Sequence, residues 1–212
     1  GISGSLLATG TTKNSKAEID EAVDYIGANL STGPTGGFAS SLTKHTDKVL
    51  SLFSDVILKP AFPESEFEKI KTQTLSGLQT EKDDPNAISG NVSNALTYGT
   101  THPYGEITNE STVSNISLED CKNYYNTYFK PGNAYLVIVG DITPEAAKTK
   151  AEKYFGSWPA GKTPEYEYAF PKGVDNTSVA FIDKSGAVQS VINITYALDL
   201  KPGAPDVIPA RV

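Results

Sequence analysis

Methionine is absent from the 212 residues, cysteine and tryptophan occur once each, and histidine occurs twice. Each scarcity excludes something. A single cysteine, Cys121, rules out an internal disulfide and leaves the redox compartment open. It stands in a helical stretch, Leu118 to Tyr124, where a thiol serves as a small hydrophobe rather than a nucleophile. Zinc needs three or four ligands, and His45 and His102 lie far apart, neither with another ligand at helical spacing. No apolar run approaches the roughly 20 residues that span a bilayer, and no signal-peptide pattern opens at Gly1, so membrane insertion is not expected. Basic residues are in the minority, 18 against 25 acidic, for a net charge of −7. Such a surface repels phosphate backbones, no basic stripe offsets it, and nucleic acid is not an expected partner. The missing initiator, with helical character at both ends, reads as a piece of a longer protein whose N-terminal part is elsewhere.

What is present suits an ordinary folded chain. Hydrophobic residues make up 38% and charged residues 20%, enough for a core. The length accommodates one large domain, or one domain and part of a second. Ser15-Lys16-Ala17-Glu18 is a capping box, and Ile19, Val23, Ile26 and Leu30 follow at helical spacing. Gly33 to Gly37 has turn chemistry, and Phe38 to Thr43 reads as a strand closing a hairpin. A helix is expected from Thr46, with Val49, Leu50, Phe53 and Ile57 inward. A longer one is expected over 64–82, stopped by Asp83-Asp84-Pro85, and another to Tyr98 before Gly99. Residues 101–114 read as a polar loop, and Ser117 caps the next helix. Ala134 to Gly140 is almost wholly apolar, as a strand buried on both faces would be. Thr143-Pro144 opens a last helix, ending near Phe155-Gly156. Residues 157–176, rich in Pro, Gly, Tyr and Glu, read as a linker, and 178–183 and 188–196 as strands. The fold class is α+β, helices packed on a mostly antiparallel sheet. The expected division is 1–156, linker 157–176, and 177–212 as the opening strands of a second domain.

One motif misleads. Gly156-Ser157-Trp158-Pro159-Ala160-Gly161-Lys162-Thr163 matches the phosphate-loop pattern letter for letter. That motif works when a strand precedes it and a helix begins at its end, so that backbone amides converge on phosphate. Here a helix precedes, Pro159 removes an amide, and Pro164-Glu165-Tyr166 follows; the match is coincidental. No Gly-x-Ser-x-Gly elbow is present for a nucleophilic serine.

Several stretches, taken together and in order, resemble the pitrilysin/insulinase family of zinc metallopeptidases. They are Leu6 to Ser15 (LLATGTTKNS) with 18–30 after it, Asp55 to Phe67 (DVILKPAFPESEF) and Asp83-Asp84-Pro85. His102-Pro103-Tyr104-Gly105, Tyr128 to Ile142 (YFKPGNAYLVIVGDI) and Tyr154-Phe155-Gly156 complete the set. The resemblance implies a metallopeptidase-like domain, with 183–190 resembling the start of a second similar domain. Active members carry His-x-x-Glu-His on the helix before the Gly-Thr segment. Two His bind zinc, the Glu is general base, and a further Glu from the long helix completes the metal shell. Counting back from Gly10-Thr11, the His positions fall on Gly1 and Ser5 and the base on Gly4. Counting back from Asp83-Asp84-Pro85, the distal Glu falls on Gly77, or on Ser76 if the register slips by one.

The catalytic and metal sets are thus expected to be degenerate at Gly1, Gly4, Ser5 and Gly77, with no metal and no cofactor in this chain. Family members often pair an active half with a degenerate half of the same fold, in one chain or in two subunits, to enclose a peptide. The resemblance implies the same here, with zinc in the active partner half and an extended peptide as ligand. Strand 38–43 offers an edge for it, at Phe38, Ala39, Ser40 and Ser41. Two alternatives stay open: a purely structural subunit without a proteolytic partner, and a hydrolase with an unrecognised site. Localisation is not fixed by the sequence; a bacterial periplasm or cell envelope is compatible with it.

Overall fold

A computed structural model describes residues 1–171, 176–186, 188–195, 198, 200 and 203–211. Parts of the expected linker (172–175), Ala187, the end of the expected 188–196 strand and Val212 lie outside the described residues. The chain forms two compact units, Gly1–Leu75 with Ser111–Glu165, and Ser76–Glu110 with Tyr166–Val212.

The first unit begins with a short helix α1, Ile2–Leu6, continued by a 3₁₀ turn, Leu7–Thr9. Ser15 then starts α2, Lys16–Tyr25; its hydroxyl accepts from the Glu18 amide while Glu18 accepts from the Ser15 amide, the reciprocal pairing expected of a capping box. Gly27, at φ 58°, ends the helix. The stripe predicted to run on to Leu30 stops here, because Leu30 already belongs to β1, Asn29–Gly33. Pro34-Thr35 turns the chain into β2, Gly36–Ser40, and the two strands pair antiparallel with Gly33 opposite Gly36 and Ser31 opposite Phe38. β2 therefore starts two residues before the expected strand and ends at Ser40; Thr43–His45 is a 3₁₀ turn instead.

Helix α3, Thr46–Leu58, buries Val49, Leu52, Val56 and Ile57, packing on β2 and on α8, Pro144–Phe155. Helix α7, Leu118–Tyr128, begins with a second capping box, Ser117 with Asp120, and packs on α1. The core of this unit centres on Leu6, Leu7, Val56 and Val113, all fully buried. Two tyrosines of the α7 region tie it to its neighbours. The Tyr125 hydroxyl donates to the Ile57 carbonyl at 2.9 Å, and that of Tyr124 donates to the Pro34 carbonyl at 3.0 Å. At the α3–α8 contact Asp47 accepts from Lys150 at 2.6 Å and from the Tyr154 hydroxyl at 2.7 Å.

Helix α4, Glu64–Glu81, matches the predicted long helix and contributes Phe67 to the core of the first unit. In the second unit, Asp84 caps α5, Pro85–Tyr98, with proline at its first position. The predicted polar loop after it contains a short helix, α6, Glu110–Ser114. His102 to Gly105 forms an ordered turn closed by the Gly105 amide on the His102 carbonyl, 2.9 Å. The fold is helix-rich α+β with a small antiparallel sheet. The apolar run Ala134–Gly140, predicted as a buried strand, enters no ladder, and Tyr135, Val137 and Val139 are exposed. Residues 178–183 and 188–195 likewise enter no ladder among the described residues.

Candidate functional site

Of the four positions expected to be degenerate, Gly1, Gly4 and Ser5 lie on or beside α1. Ile2 and Leu6 bury one side of this helix, and Ser3 donates to the Cys121 carbonyl at 3.0 Å, fixing α1 against α7. Gly1 caps the helix, and a side chain there would meet open space. Ser5 is exposed.

Gly4 is different. A Cβ built on it would stand 2.1 Å from the Gly33 carbonyl carbon, 2.3 Å from the Pro34 nitrogen and 2.4 Å from the Gly33 oxygen. All three are backbone atoms of the β1–β2 turn, and the Tyr124 hydroxyl holds that turn at the Pro34 carbonyl. The space beside Gly4 is thus filled by main chain. No side chain of any kind fits there unless the hairpin moves. Gly77 lies on α4 in the second unit, with nothing within 4 Å of its missing Cβ.

Chemically this set offers no imidazole and no carboxylate. Zinc bound by His, Cys or carboxylate does not fit these residues, and a water here would have neither a Lewis acid nor a base beside it. Among the described residues, no group of three or more His, Cys, Asp or Glu side chains could hold a metal ion. His45 sits at the N-terminus of α3 but makes no capping bond. His102 stacks on Tyr98 at 5.1 Å, meets Tyr104 and Tyr168 at 5.3 Å, and accepts from the Tyr104 amide through Nδ1. It belongs to an aromatic cluster of the turn. Cys121 is buried, and burial, followed by the Asp120 charge, pushes its thiol above the usual value, away from nucleophile chemistry. The phosphate-loop lookalike follows α8 with no helix after it, and Gly161 lies against the Lys130 side chain.

Of the proposed peptide-binding residues, Phe38, Ala39 and Ser40 lie on β2, and Ser41 lies one residue past its end. Gly37 faces α3, where a Cβ would stand 2.7 Å from the Phe53 ring. By alternation Phe38 points to the opposite face, and it is 62% exposed. Beyond its ladder with β1, no backbone–backbone hydrogen bond among the described residues falls on Gly36–Ser40.

Residues 5–105 match the sequence model described as insulinase (peptidase family M16), and residues 115–212 match that of the peptidase M16 inactive domain. An uncharacterized zinc protease of Rickettsia felis is 26% identical over 159 residues, covering 72% of this chain and 38% of the relative. A crystal structure of a peptidase M16 inactive domain from Pseudomonas fluorescens superposes with TM-score 0.71 at 23% identity, over 81% of this chain and 43% of that one. The first half of the periplasmic protease PqqL from Escherichia coli superposes with TM-score 0.65 at 16% identity, over 82% of this chain and 40% of that one. At these identities the two structures report the fold. The chain spans well under half the length of each relative.

Proposed function

As a member of the insulinase (M16) peptidase family that lacks the family's metal donors, this chain, we propose, acts as a non-catalytic half. It pairs with an active half, in the same polypeptide or in a separate subunit, and the two enclose a peptide substrate. Zinc and the catalytic base belong to the partner. The observation that carries this reading is Gly4, whose surroundings leave no room for a base, together with Gly1, Ser5 and Gly77, which provide no ligands.

Peptide contact in this reading uses the open edge of β2. A strand edge binds extended chains through main-chain hydrogen bonds, with little regard for side chains. Phe38, Ala39, Ser40 and Ser41 would line it. The resemblance to half of a periplasmic protease supports a periplasmic setting, and no helix among the described residues is long and apolar enough to cross a membrane.

Pairing is tested by co-expressing the chain with an M16 chain from the same organism that retains His-x-x-Glu-His. Co-elution as a stoichiometric complex, with peptide turnover higher than that of the active chain alone, is the expected result. Separate elution and unchanged turnover would leave the proposal without support.

A further inference from the structure

The second unit carries a row of aromatic rings that pairing with an active half does not use. Tyr98, the last residue of α5, stacks on His102 at 5.1 Å. Tyr104 meets both rings, at 5.4 Å and 5.3 Å, and Tyr168 meets His102 edge-on at 5.3 Å. Tyr166 continues the row, nearly parallel to Tyr168 at 6.2 Å. The Gly105 and Glu106 amides donate to the His102 carbonyl and the Tyr104 amide to its ring, which holds the turn in place. Rings packed this closely usually belong to a core. Here Tyr104 is 69%, Tyr166 58% and Tyr168 56% exposed, so the π surface is open to water. Charge selects what could cover it. Residues 94–107 and 166–171 carry Glu106 and Glu167, both exposed, and neither lysine nor arginine.

From this we infer that the His102 cluster is a binding site for an organic cation, a guanidinium group above all. The inference goes beyond the non-catalytic half and does not depend on it. An aromatic face is the negative end of the ring quadrupole, so tyrosine faces attract a cation within about 6 Å of the ring centroid. Carboxylates on the same two segments, in a chain of net charge −7, add to that attraction and repel an anion. A neutral ligand gains stacking alone. Among cations, guanidinium is planar and weakly hydrated, so it lies flat on a tyrosine while its edge donates to a carboxylate. A primary ammonium is compact and strongly hydrated, and it gives up more water for the same contact. The group could be carried by a free small molecule or by an arginine side chain of a polypeptide.

The chain has two histidines, one in each unit, which makes the test direct: His102 reports on the cluster and His45 is the internal control. Their imidazole proton resonances, assigned with a His45→Gln variant, are followed in the full chain at constant pH as N-acetylarginine amide is added. A saturable shift of the His102 resonance alone is expected. N-acetylcitrulline amide keeps the planar shape without the charge, and is expected to bind about two- to fivefold more weakly, the scale of one exposed cation–π contact. The lysine analogue is expected to fall between them. Acetyl-Gly-Arg-Gly-amide separates the two sources: tighter binding than the single residue assigns the group to a polypeptide, weaker binding to a free small molecule. The double variant Tyr104→Leu/Tyr168→Leu, its fold checked by circular dichroism, is expected to lose the arginine–citrulline difference, and Tyr104→Phe/Tyr168→Phe to keep it, because the ring faces remain. Equal binding of arginine and citrulline by the parent chain, no shift at His102, or parallel shifts of both histidines would overturn the inference. So would a preference for arginine that survives loss of the two rings.

Discussion

Replacing Gly4 with alanine places one methyl group where the structure has only main chain. In a helix, alanine is ordinarily better than glycine by roughly 0.5–1 kcal/mol, because glycine loses more backbone freedom on folding. At Gly4 that gain is opposed by contacts of 2.1–2.4 Å to Gly33 and Pro34. None of these is the end of a flexible side chain, so the β1–β2 turn must move and strain its bond to Tyr124. Overpacking of this kind costs about 1–3 kcal/mol, and it outweighs the helix gain. For a chain of this length the net cost, up to about 2.5 kcal/mol, corresponds to a melting temperature lower by up to about 10 °C. Gly77→Ala is the matched control: it too lies in a helix, but its Cβ meets open space. It is expected to stabilise by about 0.5–1 kcal/mol. The same substitution thus has opposite signs at two helical glycines. Thermal unfolding followed by far-UV circular dichroism reads both. A Gly4→Ala variant as stable as the parent, or more stable, would refute the claim that the hairpin leaves no room for a side chain at Gly4.

Two further substitutions probe the packing around this region. The Asp47 carboxyl is held well below its ordinary value, at about 2, first by the hydrogen bond from Lys150 and next by that from Tyr154. Between about pH 4 and pH 2 the unfolded chain binds this proton more readily than the folded chain, so the stability Asp47 contributes is present at neutral pH and lost across that window. Asp47→Asn is therefore expected to melt below the parent at pH 7, with the gap closing as the pH falls through 2; parallel curves would contradict this. Burial pushes the Tyr125 hydroxyl up to about 12, and it donates to the Ile57 carbonyl. Tyr125→Phe is expected to cost about 0.5–1.5 kcal/mol in urea unfolding and to remove a late step from the ultraviolet titration of the tyrosines. A titration unchanged by the substitution would count against the assignment.

Much of the fold could be read from local signals. Ser15 with Glu18, Ser117 and Thr143-Pro144 each name a helix start through hydrogen bonds made within one turn, and each start lies where the residues place it; Asp84-Pro85, read as the stop of one helix, also caps the next. Pairing was harder. Leu30 continues an apolar helical spacing, yet the chain leaves α2 at Gly27 and Leu30 pairs with Ala39. Ala134–Gly140 has the composition of a buried strand, but composition expresses a preference for burial and cannot supply a neighbouring strand. Helix α6 was missed because five residues, Glu110–Ser114, give too short a period to register. The closeness of Gly4 to Gly33 was beyond sequence reasoning, because it depends on how a turn about thirty residues away docks. A glycine inside an otherwise helical, partly apolar segment was the one hint.

The most direct measurement of the central claim is zinc-dependent hydrolysis of a quenched fluorogenic peptide by the purified, tag-free chain. The account predicts no turnover above background at any zinc concentration, with chelator making no difference. Turnover that appears with stoichiometric zinc and disappears with chelator would contradict it.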